Sequence, residues 1–153
     1  MEFPELETDR LHLVQVKAEH TQSFFDIMSK DEVTKYYGMD SLKSLEEASK
    51  IVDSFQRSYE SKRGIRWGMI LKDTGDFVGT LGLNNLSMYS KKAEIGFELH
   101  PAYWKKGITS EAVKEVLRYA FEKLELFRIG AVTYPQNDSS IQLLTSLGFS
   151  KEG

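Results

Sequence analysis

Apolar positions along the chain follow a two-residue period in some stretches and a three-to-four-residue period in others. The switches between the two mark the elements. Leu6 to Val16 reads as an opening strand, with Leu11, Leu13 and Gln15 on one face and Val14 and Val16 on the other. A helical stretch follows from about Ala18 to Met28, with Phe24, Phe25 and Met28 as its apolar residues. Ser44 and Glu47 stand at capping-box spacing, and Leu45, Ala48, Ile51, Val52, Phe55 and Tyr59 then form one apolar stripe. The period returns to two at Ile65, Trp67, Met69 and Leu71. Residues 72–76 (KDTGD) supply a turn and Phe77 to Leu83 runs back, which predicts a hairpin.

A third strand, Ala93 to His100, ends at Pro101. After it, Ile108, Ala112, Val113, Val116, Leu117, Ala120, Phe121 and Leu124 make the longest apolar helix face in the chain. A strand from Arg128 to Tyr134 follows, then a short helix from Asn137 or Asp138 that Gly148 stops. Strand–helix–strand–helix after a run of antiparallel strands predicts an α+β fold: one mixed, mostly antiparallel twisted sheet, splayed where parallel pairing begins, flanked by about four helices. Residues 148–153 (GFSKEG) read as the start of another strand, so a terminal hairpin is expected to be missing. The unpaired sheet edge this would leave favours dimerisation or strand exchange.

Composition narrows the class. One hundred and fifty-three residues, without repeats or low-complexity linkers, suit one domain. A net charge of −3 argues against a general polyanion binder and so against nucleic acid. With no cysteine, disulfides, Cys-zinc sites and a Cys acyl-enzyme are excluded. His12, His20 and His100 are too scattered for a local metal site, and no metal is expected. No export signal or membrane span is visible, so a cytoplasmic protein is expected. Phosphate-loop, nucleophile-elbow and zinc-protease signatures do not occur.

The chemistry concentrates in Ala93 to Phe121, where a strand feeds a short turn that opens into the long helix. First-turn amides lack intrahelical partners and carry the positive end of the helix dipole. Such an end takes a phosphate, with Gly107 allowing close approach and Lys105 and Lys106 adding charge. Thr109-Ser110-Glu111 also fits an ordinary N-cap with an acid in the first turn, which would start the helix two residues later.

The order of segments resembles the GNAT superfamily of acetyl-CoA-dependent N-acetyltransferases, nearest to the branch that acetylates N-termini of ribosomal proteins. The similarity covers nearly the whole chain. LETDRLHL (6–13) resembles that branch's opening strand, VTKYYG (33–38) its inter-helix segment and DTGDFVGTLGL (73–83) its central hairpin. AEIGFELHPAYWKKGITSEA (93–112) resembles its strand–turn–helix, and NDSSIQLLTSLGF (137–149) its closing Asn-helix-Gly-Phe signature. The resemblance implies a GNAT-like fold and acetyl transfer from acetyl-CoA to a primary amine, either a protein N-terminus or a small molecule.

It also implies where the co-substrate lies. The pyrophosphate turn, [RQ]-x-x-G-x-[GA] in the family, would be Trp104, Lys105, Lys106, Gly107, Ile108 and Thr109, with Ser110 adjoining. Only Gly107 matches; Trp104 replaces Arg/Gln, and Thr109 brings a Cβ toward the phosphate. The pantetheine arm would lie between Phe97–Leu99 and Ala131–Tyr134, bonding backbone as an added strand does. Asn137 stands at the family's pantetheine-contacting Asn, with Ser140 on the same helix face. As an alternative, Asn137 is a plain N-cap.

Transfer from a thioester needs a neutral amine, a stabilised oxyanion and a protonated leaving thiolate. A lysine costs roughly 3 kcal/mol more than an α-amine to deprotonate at neutral pH. A carboxylate, acting through water, accepts that proton, and a strand N–H holds the oxyanion. Glu94 occupies about the position of the family's strand-borne base, and Glu98 is the second candidate. The two share a face unless a bulge separates them. Many relatives place a leaving-group Tyr seven residues after the Asn, where this chain has Leu144; Ser140 is the substitute, or the thiolate leaves unassisted. With no cysteine, direct attack in a ternary complex is expected. The acceptor pocket would lie between the first two helices and the hairpin, lined by Tyr36, Tyr37 and Trp67. The second reading is a catalytically silent module that binds acyl-CoA without transfer.

Overall fold

The computed structural model describes residues 2–35, 40–131 and 138–149, with side chains in the last stretch from residue 141 onward. The opening segment is not one strand. Strand β1 (Leu6–Glu7) and strand β2 (Leu11–Gln15) form an antiparallel hairpin that pairs Leu6 with Leu13. The polar residues Thr8, Asp9 and Arg10 make the turn, which the Thr8 amide closes on the Leu11 carbonyl at 2.9 Å.

A 3₁₀ turn over Ala18–His20 leads into helix α1 (Thr21–Met28), and the four-residue helix α2 (Asp31–Thr34) follows. Helix α3 (Leu45–Glu60) starts at Ser44, whose hydroxyl accepts the Glu47 amide at 3.2 Å, the bond that its spacing predicts. Strands β3 (Ile65–Leu71) and β4 (Phe77–Ser87) form the predicted hairpin, and β5 (Lys92–Leu99) continues the antiparallel run. Helix α4 (Ile108–Glu122) then crosses to strand β6 (Arg128–Gly130), and helix α5 (Asp138–Ser146) is the last described. The six strands lie in the order β1-β2-β3-β4-β5-β6, antiparallel except for the parallel pair β5–β6. The fold is therefore α+β on one mixed sheet, as predicted. Five α-helices occur among the described residues, α2 being the addition.

Alternation along the strands supplies both faces. Leu11, Leu13, Trp67, Met69, Leu81, Leu83 and Ile95 meet Ala112, Val113, Val116 and Ala120 of α4 in one buried layer, which Leu144 of α5 joins. The other face carries a second layer, in which Phe24, Ile27 and Met28 of α1 pack with Ala48 and Val52 of α3. Trp67, expected at an acceptor pocket, is 0% exposed in the first layer. Its indole N–H donates to the Pro4 carbonyl at 2.7 Å, and its ring meets Tyr119 edge-on. No described helix is long and apolar enough to cross a membrane.

Leu13 is fully buried, whereas Tyr89 is 99% exposed. Leu13→Ala is expected to cost about 2–5 kcal/mol and Tyr89→Ala no more than ~0.5 kcal/mol, both read from denaturant unfolding midpoints.

Candidate active site

The long helix begins where the turn leaves it. Gly107 is its N-cap at φ +76°, in the left-handed region, and Ile108 is the first helical residue. The later start at Thr109 does not occur: Ile108 is buried at 4% exposure, which anchors the first turn to the sheet. Gly107 has no side chain with which to cap the helix. The amides of Ile108, Thr109 and Ser110 therefore keep the unpaired state of any first turn, since the Glu111 amide makes the first bond back, to Gly107 at 3.1 Å. Lys105 is also left-handed, at φ +63°, a conformation that costs a residue with a Cβ roughly 1–2 kcal/mol.

Each side chain of the turn has a distinct place. Lys105 and Lys106 are exposed, and the Lys106 ammonium stands 5.9 Å from the centre of the Tyr103 ring. Trp104 is 41% exposed, and its indole N–H donates to the Leu99 carbonyl at 2.8 Å, tying the turn to the end of β5. Thr109 and Ser110 are half-buried.

A second contact holds the turn from the opposite end of the sequence. Glu111 receives the Arg10 backbone N–H at 2.9 Å, the Arg10 Nε–H at 2.7 Å and the Thr8 hydroxyl. Arg10 Nη1 also donates to the Lys106 carbonyl at 2.9 Å. Burial alone would raise the Glu111 pKa. The bonds from Thr8 and Arg10, with the arginine's charge, outweigh it and hold the carboxyl below its ordinary 4.5.

Strand β5 runs on past its described pairing with β6. The parallel ladder runs Lys92–Arg128, Ala93–Ile129 and Glu94–Gly130, while β5 continues to Leu99. Phe97 and Leu99 lie beyond the last described pair, and their side chains join the α4 layer, so the strand edge offers backbone. Of the facing segment expected at Ala131–Tyr134, residues 132–134 lie outside the described residues, as do Asn137, Tyr36 and Tyr37. Ser140 is in α5, but its side chain is not among those described.

The two candidate carboxylates prove unlike. No bulge separates them: Glu94 pairs with Asn84, Gly96 with Gly82 and Glu98 with Thr80 in unbroken register, and the irregularity falls beyond Asn84. Both therefore point to the α1–α3 face. Glu94 is half-buried at the last described β5–β6 pair, where Asn85 Nδ2 donates to it at 2.6 Å. Glu98 is 6% exposed and engaged by the Arg66 guanidinium and the Thr80 hydroxyl, while Arg66 Nε also donates to Thr80 at 3.2 Å. Arg66 reaches Glu98 by lying across two glycines. A Cβ on Gly82 would come within 2.8 Å of Arg66 Cδ, and one on Gly96 within 3.6 Å of Nη1.

Leu144 is buried at 6% in the α4 layer, so the place of the family's tyrosine is filled by core packing. Among the described residues no cluster of His, Cys, Asp and Glu could hold a metal ion. Sequence reasoning missed Arg10, Thr8 and Arg66. Gly82 and Gly96 inside strands were the available signal for the last of these, since interior glycines mark close approach.

Comparison with known proteins agrees with this geometry. Residues 10–150 match the Acetyltransferase (GNAT) domain family. The chain is 44% identical over 151 residues to "Uncharacterized N-acetyltransferase YoaA" of Bacillus subtilis (strain 168), covering 99% of this chain and 85% of that protein. It is 35% identical to "Uncharacterized N-acetyltransferase p20" of Bacillus licheniformis, over 97% of this chain and 83% of that one. Among solved structures, Mycobacterium smegmatis RimJ in complex with CoA-disulfide superposes with a TM-score of 0.88 at 21% identity, covering 98% of this chain and 77% of that chain. The chain belongs to the GNAT acetyltransferase family and is an acetyl-CoA-dependent acetyltransferase.

Two outcomes follow from the charge pairs. Glu98→Ala leaves Arg66 buried without its counter-ion and is expected to cost about 3–5 kcal/mol, whereas replacing Arg66 by Met and Glu98 by Leu together recovers most of that loss in urea melts. The folded pKa of Glu111 is depressed, so its stability contribution is complete above pH 4.5 and is lost as pH falls through the folded value. Acid unfolding of Glu111→Gln, followed by circular dichroism, is expected to lack that component.

Proposed function

We propose that the chain acetylates a primary amine, either a protein N-terminal α-amine or a small-molecule amine, by direct attack in a ternary complex. The observation that carries this reading is the passage from β5 into the start of α4. Described pairing of β5 with β6 stops at Glu94, and β5 runs on to deliver the chain to the uncapped first turn of α4 at Gly107. A strand edge and a row of amides in that order suit an extended arm ending in a pyrophosphate.

The residues present fit acetyl-CoA. The N–H groups of Gly107, Ile108, Thr109 and Ser110 would take the pyrophosphate, with Lys105 and Lys106 exposed beside them. The left-handed φ of Gly107 is one that glycine alone adopts without strain. Trp104 orients the turn through its bond to Leu99. The backbone of Phe97 to Leu99 would bond the pantetheine, and the family resemblance gives Asn137 and Ser140 as further contacts to it.

When bound, acetyl-CoA supplies an activated thioester whose C–S bond breaks as the amine nitrogen bonds to the carbonyl carbon. Glu94 takes the amine's proton through a water. Its half-exposed carboxylate can exchange protons with solvent, and the bond from Asn85 aims it. Glu98 is the weaker candidate because it is buried and Arg66 and Thr80 both bond its Oε1. A β5 amide beyond Glu94 holds the oxyanion. With Leu144 in the core, the thiolate takes its proton from Ser140 or leaves unassisted, since a thiol pKa near 8.5 makes it a tolerable leaving group.

Glu94→Gln is expected to lower kcat by ~100- to 10,000-fold while acetyl-CoA still raises Tm as it does for the unaltered chain and ATP does not. At 100 times its Kd the ligand adds about 2.7 kcal/mol. A silent acyl-CoA-binding module would show the Tm shift in the unaltered chain but no turnover with any amine.

A further inference from the structure

In the phosphate turn, the peptide between Lys106 and Gly107 is the part most free to rotate. Gly107 is left-handed and exposed, with no Cβ to resist rotation, and Lys105 is already in the left-handed region. Such a peptide has two states. In one its N–H faces a bound anion; in the other its carbonyl does, and repels it. Because C=O and N–H of a planar trans peptide point in opposite directions, whatever holds the Lys106 carbonyl decides where the Gly107 N–H points.

Arg10 Nη1 holds that carbonyl at 2.9 Å. The guanidinium is itself immobilised. Its Nε–H bonds Glu111 at 2.7 Å, its own backbone N–H bonds the same carboxylate at 2.9 Å, and Nη2 stands 3.5 Å from where a Gly107 Cβ would be. Glu111 belongs to the first turn of α4, and Thr8 fixes its other side. One side chain from the β1–β2 turn thus joins the loop peptide to the helix start 96 and 101 residues away.

We propose that Arg10 is a positioning residue for the acetyl donor. It clamps the Lys106 carbonyl on its own side, so that the Gly107 N–H and the first amides of α4 are presented to the pyrophosphate before the ligand arrives. This inference rests on the reading that the 104–109 turn holds the pyrophosphate. It assigns Arg10 no contact with the phosphate, because its charge is already paired with Glu111.

The test compares CoA, which carries the pyrophosphate, with S-acetylpantetheine, which does not. If releasing the clamp leaves the turn competent about one tenth of the time, the apparent Kd rises about tenfold. Arg10→Ala is therefore expected to raise the calorimetric Kd for CoA and the KM for acetyl-CoA ~10-fold, with kcat at saturation and kcat/KM for S-acetylpantetheine unchanged. Arg10→Lys keeps the charge but cannot bond the carboxylate and the carbonyl together, and is expected to remain impaired; full rescue would overturn the clamp. An unchanged CoA affinity in Arg10→Ala, or an equal loss for both donors, would overturn it as well. Should Arg10→Ala not fold, Glu111→Gln removes the charged anchor and reads the same comparison, with a rise in Kd confined to CoA expected and no rise overturning the proposal. Gly107→Val separates the two layers of inference. It should abolish the preference for CoA over pantetheine, and a preserved preference would overturn the pyrophosphate turn and the clamp together. If Gly107→Val removes the preference and Arg10→Ala does not, the turn stands and the clamp alone falls.

Discussion

The seam between α4 and the sheet fixes the position of everything chemical in this molecule. Ala112, Val113, Val116 and Ala120 are each fully buried, and the small side chains among them bring the helix close to Trp67, Leu81, Leu83 and Ile95. Close-packed apolar surfaces do not slide without opening voids. A helix seated this way cannot rotate or translate, and Ile108 extends the seam into the first turn. The free amides at its start are therefore held in register with the end of β5. The site is a by-product of core packing: hydrophobic burial, which has no direction of its own, sets the direction of a row of N–H groups.

Two ion pairs then divide the polar work. Arg66 and Glu98 lie inside the sheet's α1–α3 side, where pairing is obligatory because an unpaired charge there would be severely penalised. Arg10 and Glu111 lie half in solvent, where a lone ion pair contributes little to stability. What the second pair contributes is geometry, since Glu111 is also bonded by Thr8 and by the Arg10 backbone, and Arg10 also bonds Lys106. Glu94, bonded by Asn85, belongs to neither pair.

Much of this architecture was legible in the sequence, for identifiable reasons. The β3–β4 hairpin and the helices α3 and α4 have long, regular apolar periods that no other arrangement would bury. The break between β1 and β2 was not legible, because Leu11 and Leu13 on one face, with Val14 and Val16 on the other, read as one strand with Leu6, and the turn at residues 8–10 separates the two only in space. In the site, the turn at Gly107 could be read because strand, glycine and helix are contiguous. The unlike fates of Glu94 and Glu98 could not, since they depend on which residues lie beside them on β3 and β4. The Arg10 clamp spans a hundred residues and leaves no local pattern at all.

The path of Arg66 over Gly82 and Gly96 bears on the order in which the sheet can assemble. Its partner Glu98 is on β5, two strands away, so the bond between them skips β4. A β3–β4 hairpin formed by itself places Arg66 over a bare glycine, with the Thr80 hydroxyl as a hydrogen-bond partner. Only when the third strand docks does the cation find its anion. The ion pair thus forms only when all three strands are in place, and it ties β3, β4 and β5 into one cooperative unit.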